Sequence, residues 1–408
     1  MKKKRRMSRV SMSRLIPLLV VVALFAAACG GDGEGDSTTV PEEPGTTEAP
    51  GTTAAPEPEE TTTTAEAAGD PVRLVYASFA VEDSPHSQAF AWMAEELNTR
   101  TNGRVSIEQF HAGALCAFND IFDCIKDGRA DFGLFLPVQQ PSFFPYSSIG
   151  SVLFVSRDTQ AHSEAFNELA ASNDQFSAEW DAQGMRPLWF ASIGPAVLGA
   201  NEPVENIEWM ENKSIRATGY FTQALDAIGA NPVALSNAEV YEAIQRGTID
   251  AFYASTLDGA ALDNSHFEVT SHWQDLGAGE YVSIATAVSQ RALDQLTEDE
   301  QAILFELAAQ VSSEFFDTYY FPQMEVACDN AINGGLESLT IWPEEEAQRF
   351  ADAAADVVKE QWIADTEAGG TTGAAEFYDE FVATVREKEA TSTLGETATE
   401  RCAARFGG

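Results

Sequence analysis

Residues 212–255 decide how this chain folds, and they read NKSIRATGYFTQALDAIGANPVALSNAEVYEAIQRGTIDAFYAS. Hydrophobic residues recur at helical spacing over 220–228, and Gly229 is placed to end that helix. Ser236 and Glu239 form a capping-box pattern that opens a second helix. Short extended runs precede, separate and follow the two helices. This strand–helix–strand–helix–strand order predicts a parallel sheet, whose ligands bind at the carboxyl ends of the strands.

Four segments of this stretch also carry a family resemblance, and they are SIRAT, AIGANPVAL, AEVYEAIQRG and TIDA, in that order. Together they resemble the signature region of the solute-binding proteins of TRAP transporters, the DctP-like family. The resemblance implies an α/β fold of the periplasmic-binding-protein type II, with two lobes and a long helix that spans both. In that family the arginine of the first segment binds the carboxylate of the transported organic acid, and its position here is Arg216. A guanidinium can hold a carboxylate through two parallel hydrogen bonds, a geometry that lysine cannot reproduce.

The region before this stretch resembles the opening of the same family. A strand is predicted over 72–79, and a helix begins at Ser84 with Pro85 in its first turn. Two further strands follow, the second over 130–136. The chain departs from the family at His111, where the family usually has a Pro-Gly turn.

The resemblance, with the length and composition of the chain, also predicts its division into parts. The parts are a signal peptide at 1–28, a linker at 29–70, a first lobe at 71–195 with 280–325 returning to it, and a second lobe at 196–279 with 326–408. Strands at 186–190 and 193–200 are expected to cross towards the second lobe, and a strand at 280–288 is expected to return to the first.

A long helix is predicted to begin after Thr297, which forms a second capping box with Glu300, and to continue to about residue 332. At 1.5 Å per residue this helix would be roughly 50 Å long, longer than either lobe. Pro322 lies inside the pattern and is expected to kink it. Two helices broken at Pro322 are the alternative, and the resemblance to the family favours a single lobe-spanning helix.

The first seventy residues are typical of an export signal followed by a tether. Residues 1–14 hold seven lysines and arginines and no acid, and 15–28 form an apolar run of 14 residues, too short to span a bilayer. The run ends in AAAC, which resembles a lipobox and predicts lipidation of Cys29; the alternative is an ordinary secretory signal with an incidental cysteine. Residues 30–70 contain no aromatic residue, and their Thr, Pro, Glu, Gly and Ala content is typical of a flexible linker.

The chain is strongly acidic, with a formal net charge of −40. Seven of its 24 basic residues lie in the signal peptide, which leaves 17 against 64 acidic residues. This balance argues against nucleic acid or anionic lipid as a partner. It is compatible with anion binding at one arginine, because at physiological salt charges beyond roughly 8 Å are largely screened. The excess charge is interpreted as a solubilising or salt-adapted surface.

Four cysteines remain once Cys29 is set aside, and they are Cys116, Cys124, Cys328 and Cys402. An even number in an exported protein predicts two disulfides, although the sequence alone permits three pairings. We favour a local bond between Cys116 and Cys124, with Cys328–Cys402 tying the C-terminal tail to the body. Because there is no Cys-x-x-Cys spacing and the five histidines show no metal-ligand spacing, no metal and no cofactor is predicted.

The predicted ligand site combines Arg216 with residues near strand ends. These residues are Trp189, Asn201, Tyr253, Phe135 and Phe79. The asparagine stands where the family often has an Asn, and each aromatic residue is equally compatible with core packing. Two positions that are Arg and Asn in sialic-acid-type members are Ala196 and Ala254 here, so a strongly anionic or polyhydroxylated ligand is not expected. One cation in an aromatic-lined cleft suits an apolar or aromatic monocarboxylate, or a 2-oxo acid.

The sequence contains none of the common catalytic motifs: GxSxG, the P-loop, HExxH and a GxGxxG after a strand are all missing. The prediction is therefore a non-enzymatic, lipid-anchored extracytoplasmic protein, acting as a monomer. It would capture a small organic acid and deliver it to the membrane subunits of a TRAP-type transporter. Two alternatives stay open, a ligand sensor that serves a signalling partner and an exported hydrolase or isomerase on the same fold.

Overall fold

The computed structural model describes residues 69–279 and 282–406. The predicted signal peptide, the lipidation at Cys29 and the linker as far as residue 68 therefore lie outside the described residues. The first two residues of the predicted returning strand, 280 and 281, lie outside them as well.

Eleven strands and twelve α-helices make up the described part of the chain. The strands are β1 (Val72–Ser78), β2 (Val105–Phe110), β3 (Phe132–Phe135), β4 (Met185–Ile193), β5 (Ala196–Ala200), β6 (Ser214–Arg216), β7 (Asn231–Val233), β8 (Ala251–Thr256), β9 (His272–Asp275), β10 (Val282–Ser289) and β11 (Ser338–Ile341). The α-helices are α1 (Pro85–Arg100), α2 (Ile121–Lys126), α3 (Thr159–Ser172), α4 (Asp174–Asp181), α5 (Phe221–Ala227), α6 (Asn237–Gln245), α7 (Gln290–Leu293), α8 (Glu298–Phe315), α9 (Phe321–Asn333), α10 (Glu344–Ala368), α11 (Ala374–Glu389) and α12 (Ala398–Ala403). Short 3-10 turns lie at Phe118–Asp120, Pro137–Gln139, Ser147–Ser151, Ile207–Met210 and His266–Glu268, and π-helical segments lie at Gly259–Asp263 and Phe316–Tyr320.

Two mixed sheets form the framework. The first has the order β2-β1-β3-β10-β4, with β1 parallel to both β2 and β3, and β10 antiparallel to β3 and β4. The second has the order β11-β9-β5-β8-β6-β7. The parallel sheet predicted over residues 212–255 is confirmed, since β6 runs parallel to β7 and β8. The antiparallel neighbours are the crossing strands: β5 arrives directly from β4 of the first sheet and runs against β8 and β9.

Hydrophobic cores lie against both sheets. One of them combines the first sheet with α1 and α8, and Phe90, Phe132 and Leu304 are buried there. Another holds Phe252 and Trp273 of the second sheet against α6 and α9. Each large side chain buried in this way contributes about 1.5–3 kcal/mol relative to remaining exposed. The elements that position the site are therefore held by packed cores, and not by isolated surface contacts.

The predicted long helix is confirmed as one helical run made of α8, the π-helical segment Phe316–Tyr320 and α9. Thr297 caps it, and its backbone N–H donates to Glu300 Oε2 at 2.9 Å. Pro322 lies in the first turn of α9, directly after the π-helical segment. Because proline has no N–H to donate to the preceding turn, the regular α-helical bonding is interrupted at this point and the helix continues through a widened turn. The α8 part packs in the core of the first sheet and the α9 part in that of the second, so the helix spans both lobes.

The C-terminal segment, which the sequence assigns to the second lobe as 326–408, contacts both halves of the fold. α10 packs against α5 of the second lobe, whereas α11 lies against α3 beside the first sheet. The reason is aromatic packing, since Phe381 of α11 lies 4.8 Å from Phe166 of α3 between ring centroids. The structure links Cys116 to Cys124 and Cys328 to Cys402, which is the pairing favoured from the sequence.

Candidate functional site

A cavity of about 880 Å³ lies where strand ends of the two sheets come together. From the first sheet its wall includes Phe79 after β1, Leu136 after β3 and Ile193 at the end of β4. From the second sheet it includes Arg216 at the end of β6 and Ala254 near the end of β8. The carboxyl ends of the parallel strands thus line one space, which is where open α/β sheets bind their ligands.

Arg216 is the cation in this wall, and its guanidinium is held by the backbone. Its Nε donates to the carbonyl of Leu235 at 2.9 Å, and its Nη1 donates to the carbonyls of Tyr253 at 3.0 Å and Ala254 at 2.8 Å. The residue is only 4% exposed. Burying a charge is costly unless hydrogen bonds compensate, and the three carbonyl groups supply that compensation. The guanidinium plane is therefore oriented before any ligand arrives.

A β-bulge in β8 brings two of these carbonyl groups to the same arginine. Val197 of β5 pairs with Ser255, but Gly199 pairs with Phe252, so β8 carries one extra residue between the two pairs. Within the bulge Ala254 has a φ of 62°, in the left-handed region that L-residues other than glycine rarely adopt. Bulges redirect backbone and side chains locally, and strained backbone concentrates at functional sites. The irregularity is part of how the arginine is held.

The first-sheet side of the cavity presents apolar surface. Phe79 and Phe118 line it together, with ring centroids 4.7 Å apart and planes at 81°. Ile193, Val282 and Ile284 line it as well. Phe118 is 40% exposed and Val81, which also lines the cavity, is 55% exposed, so the wall presents apolar surface to solvent. A ligand with an apolar body would cover this surface.

Carboxyl groups make up the rest of the charge in the cavity wall, and they belong to Asp258, Asp263 and Asp365. Desolvation and the nearby carboxylate of Asp258 raise the pKa of Asp263 to about 6. Asp258 Oδ1 is buried and has no hydrogen-bond partner within the described residues. Tyr220 donates to Asp365 Oδ2 at 3.3 Å. The wall thus offers one arginine to a negative group on a ligand, and its three aspartates disfavour any further negative group.

A second cavity, of about 980 Å³, lies between α3, β4 and α8. Its basic side chains already have partners: Lys388 forms an ion pair with Glu168, and the Arg186 guanidinium lies 4.6 Å from the centroid of the Phe305 ring. It is not at the carboxyl ends of the parallel strands. The cavity with Arg216 is therefore the candidate ligand site.

The family sequence model of DctP, "Bacterial extracellular solute-binding protein, family 7", matches residues 76–365 of this chain. The chain belongs to this family. The uncharacterized protein YiiZ of Salmonella typhimurium is 24% identical to it over 248 residues, which is 60% of this chain and 73% of that protein. The predicted recognition is confirmed, and the family is an extracellular one.

Solved structures show the same fold. A TRAP solute-binding protein from Rhodoferax ferrireducens, in complex with copurified benzoate, superposes with a TM-score of 0.65 at 20% identity, covering 78% of this chain and 99% of that one. The ectoine-binding protein of the TeaABC TRAP transporter from Halomonas elongata gives a TM-score of 0.65 at 22% identity, covering 78% and 100%. The predicted two-lobed α/β fold of type II is confirmed. Of the helices in 69–279 and 282–406, none has the length and apolar character needed to cross a membrane.

Among the predicted ligand residues of this DctP protein, the structure brings Arg216 and Phe79 together in one cavity wall. Tyr253 takes part through its backbone, because its carbonyl group accepts from the arginine. Its side chain is fully buried, and its ring packs against Phe221 with centroids 4.6 Å apart. The sequence placed this tyrosine near the site but could not show that it contributes its carbonyl group.

The structure does not bring Trp189, Phe135 and Asn201 into the cavity wall. Trp189 is buried in the core of the first sheet, near Phe90, and Phe135 is buried against Trp180 with ring centroids 5.7 Å apart. Asn201 is exposed and follows β5 at the end away from the cavity residues. Side chains alternate between the two faces of a sheet, so a residue near a strand end can equally point into the core.

Several residues of the candidate site were missed from the sequence. Phe118 lies in a 3-10 turn between β2 and α2, and its signal was the pair of cysteines that bracket this segment. Asp258 and Asp263 lie at a π-helical segment, for which the sequence gives no recognisable pattern. His86 also lines the cavity, and burial lowers its pKa to about 4, so the imidazole is neutral at physiological pH.

Proposed function

We propose that this DctP protein captures a small monocarboxylate between its lobes and delivers it to the membrane subunits of a TRAP-type transporter. The observation that carries the proposal is the buried guanidinium of Arg216, held by carbonyl groups in the wall of a cavity that both sheets line. Copurification of benzoate with the Rhodoferax ferrireducens protein supports it, since that ligand is a carboxylate bound by a protein of the same fold.

The ligand class follows from the charges and the apolar surface of the cavity. One arginine can neutralise one carboxylate, and a second negative group on the ligand would meet Asp258, Asp263 or Asp365 without a compensating cation. The body of the ligand would lie against Phe79 and its neighbours. We therefore infer an apolar or aromatic monocarboxylate, or a 2-oxo acid, rather than a dicarboxylate or a sugar acid.

Capture would proceed by closure of the two lobes over the bound acid. Arg216 comes from the second sheet and Phe79 from the first, so a ligand in this cavity would contact both lobes at once. A ligand shifts a conformational equilibrium only through its different affinities for the two states. Contacts made on both sides at once supply that difference. Trp189 and Phe135 would support this wall from the core without touching the ligand.

We infer that the bound acid leaves unchanged, so the protein acts as a carrier and not as an enzyme. The histidine in the described wall, His86, is neutral, and its ring lies 4.9 Å from that of Phe315. A hydrolase or isomerase would need a nucleophile or a base within hydrogen-bond reach of the substrate, and the carboxyl groups of Asp258 and Asp263 are the bases that this wall offers, so recovery of the acid is the deciding test. Incubation of the protein with a bound carboxylate, followed by mass spectrometry of the recovered acid, should return it unaltered.

The N-terminal parts of the proposal rest on composition. They are a signal peptide at 1–28, a lipid anchor on Cys29 and a linker at 29–70; the monomeric state is likewise part of the proposal. The mass of the N-terminal peptide from the membrane fraction would show a diacylglycerol adduct on Cys29 if the anchor is present. A peptide that begins at another residue, or one that lacks the adduct, would contradict the proposed lipid anchor on Cys29.

Substitution of Arg216 tests the proposed function. Mass spectrometry of the acids that copurify with the protein identifies the natural ligand, and calorimetry with that acid and with benzoate measures affinity. Arg216→Ala should weaken carboxylate binding by more than ~2 kcal/mol, about 30-fold, because a charged anchor is lost. Arg186→Ala is the matched control, since that arginine lies in the other cavity and should leave affinity unchanged. Equal affinity of the wild type and Arg216→Ala would contradict the proposal.

A further inference from the structure

We propose that Phe118 is a specificity-determining residue, held in the cavity wall by the Cys116–Cys124 disulfide, and that with Phe79 it selects monocarboxylates whose body is a planar aromatic ring. This inference rests on the proposed function above and narrows its ligand class.

The geometry of the two rings is the first observation. Phe79 and Phe118 line the cavity that contains Arg216, and their planes are nearly perpendicular at a centroid separation of 4.7 Å. Such a pair forms a corner with one ring face and one ring edge. A flat aromatic ligand can stack on the exposed ring face and contact the exposed ring edge in an edge-to-face arrangement. These are the two arrangements that aromatic pairs prefer. A saturated ring of the same size has greater thickness and lacks the quadrupole that favours these contacts.

The exposure of Phe118 is the second observation. It is 40% exposed in the structure, whereas most of the other phenylalanines in this wall and the cores around it are buried. Apolar surface that contacts water in the free protein is removed from water when a ligand covers it, which adds to affinity. The exposed ring therefore has a role in binding that a buried core ring cannot have.

The attachment of the loop that carries Phe118 is the third observation. At its start, the N–H of Ala112 donates to Ala80 O at 2.8 Å and that of Gly113 donates to Ser78 O at 2.9 Å. Over the next four residues, 114–117, the backbone hydrogen bonds found in the structure stay within the loop. The covalent bond from Cys116 to Cys124 therefore ties these residues to a helix. It acts beside the packing of Leu115 on the core and a hydrogen bond from Arg129 Nη1 to Cys116 Sγ at 3.4 Å.

The other end of that bond is a rigid anchor. Cys124 is fully buried in α2, which packs against β3. The contact is close because β3 has Gly133 there: a Cβ at this position would lie 2.5 Å from Cδ1 of Ile125. The turn that begins at Phe118 starts two residues after Cys116, so the disulfide fixes this turn relative to a packed helix.

The test compares benzoate with cyclohexanecarboxylate, which have the same carboxylate and the same number of ring carbons. The wild-type protein should bind benzoate more tightly. Phe118→Leu should weaken benzoate binding by roughly fivefold to tenfold, the size of one aromatic pair contact, and change cyclohexanecarboxylate binding by less than about twofold. Phe143→Leu is the matched control, because Phe143 is similarly exposed at 38% but lies outside this cavity wall.

The double variant Cys116→Ser with Cys124→Ser tests the positioning. It should lose part of the preference for benzoate, about threefold or more, while the thermal midpoint shows that the protein is still folded at the temperature of the titration. Arg216-dependent binding of both acids should remain in this variant. If it keeps the full preference for benzoate, the disulfide does not position the ring and the inference is overturned.

Two further results would overturn the inference. One is that Phe118→Leu weakens both acids equally, because the ring would then be a general apolar contact. The other is that the wild type fails to bind benzoate but binds pyruvate or another non-aromatic monocarboxylate in an Arg216-dependent manner. That second result would contradict the aromatic preference and leave the proposed function in place. If the wild type bound no carboxylate at all, both the proposed function and the aromatic preference would be contradicted.

Discussion

The two walls of the candidate ligand cavity are built in different ways. The wall from the second sheet presents Arg216, whose plane is set by carbonyl groups of the backbone. The wall from the first sheet presents Phe79 and Phe118, whose positions depend on side-chain packing and on a disulfide. Backbone-held groups vary little in geometry when neighbouring side chains change, whereas side-chain contacts can be replaced one at a time. The difference suggests that the charged wall orients the carboxylate and the apolar wall selects the rest of the ligand.

Each wall also has its own support behind the surface. On the second sheet the support is the bulge at Ala254. On the first-sheet side it is the buried carboxyl group of Glu179, which accepts the N–H of Tyr146 at 2.8 Å and that of Ser147 at 2.9 Å. These two residues begin the turn that brings Ser148 to the cavity. Substitutions in the charged group and in the two supports can test whether the walls are independent.

The largest effect is expected at the charged wall, with Arg216→Lys. Lysine keeps the positive charge but is a point charge with three donors on a flexible stem, so it cannot bond the same three carbonyl groups and also donate to a carboxylate. The affinity for benzoate should fall by more than ~1.5 kcal/mol, about tenfold, and approach that of the alanine variant. Calorimetry, together with a thermal midpoint to show that the fold is intact, measures this. Near wild-type affinity in the lysine variant would mean that charge alone, and not the oriented guanidinium, holds the acid.

A smaller effect is expected at the support of the apolar wall, with Glu179→Gln. One oxygen of the Glu179 carboxyl group accepts the N–H of Tyr146 and the other accepts the N–H of Ser147. In glutamine one of these oxygens becomes an NH2 group, which would face an N–H and could not accept from it. The free energy of unfolding should fall by about 1–2 kcal/mol at pH 5, as for a buried group left without its hydrogen bond. Benzoate affinity should fall less than in any Arg216 variant. Urea unfolding and calorimetry on the same preparations compare the two, and a larger loss of affinity here would show that the walls are coupled.

The pH dependence of stability gives the same substitution a second readout. Burial raises the pKa of Glu179 to about 8, against the lowering effect of its hydrogen bonds to Ser147 and Tyr146. The folded protein therefore keeps this proton in a range where the unfolded chain, with a pKa near 4.5, has released it. Stability from this group is full below about pH 4.5 and is lost as the pH rises through 8. Relative to wild type, the glutamine variant should lack this component of the decline between pH 5 and 8.

The sequence predicted those features whose cause is local. The capping box at Thr297, the strand–helix order around Arg216 and the position of Pro322 can all be recognised in short segments, because helix caps and periodicity act over a few residues. The resemblance of these segments to a known family then supplied the two-lobed arrangement. The ligand-binding role expected of Arg216 also came from that resemblance, because an arginine at a strand end is by itself more often a surface ion-pair partner.

Features that depend on contacts between distant segments could not be predicted in the same way. Trp189 and Phe79 look alike in the sequence, since both are aromatic residues near the end of a strand. Only the packing of α1 against the first sheet decides that Trp189 is buried beside Phe90, while Phe79 reaches the cavity. The bulge at Ala254 was equally hidden, because an alanine in a strand gives no sign of a positive φ.

The smallest effect is expected at that bulge, with Ala254→Gly. In an ordinary buried strand position, replacing alanine by glycine costs about 1 kcal/mol or more, through lost methyl burial and greater freedom of the unfolded chain. At Ala254 the φ of 62° adds a strain of about 1–2 kcal/mol that glycine does not suffer, so the two effects should cancel to within about 0.5 kcal/mol. Ala251→Gly, in the same strand and equally buried, is the control and should show the full loss in urea unfolding. Benzoate affinity should stay within about twofold, because the carbonyl groups that hold Arg216 remain in place. If the glycine at 254 destabilises the protein as much as the one at 251, the left-handed geometry carries no strain, and the bulge is held by the packing of the Ala254 methyl group instead.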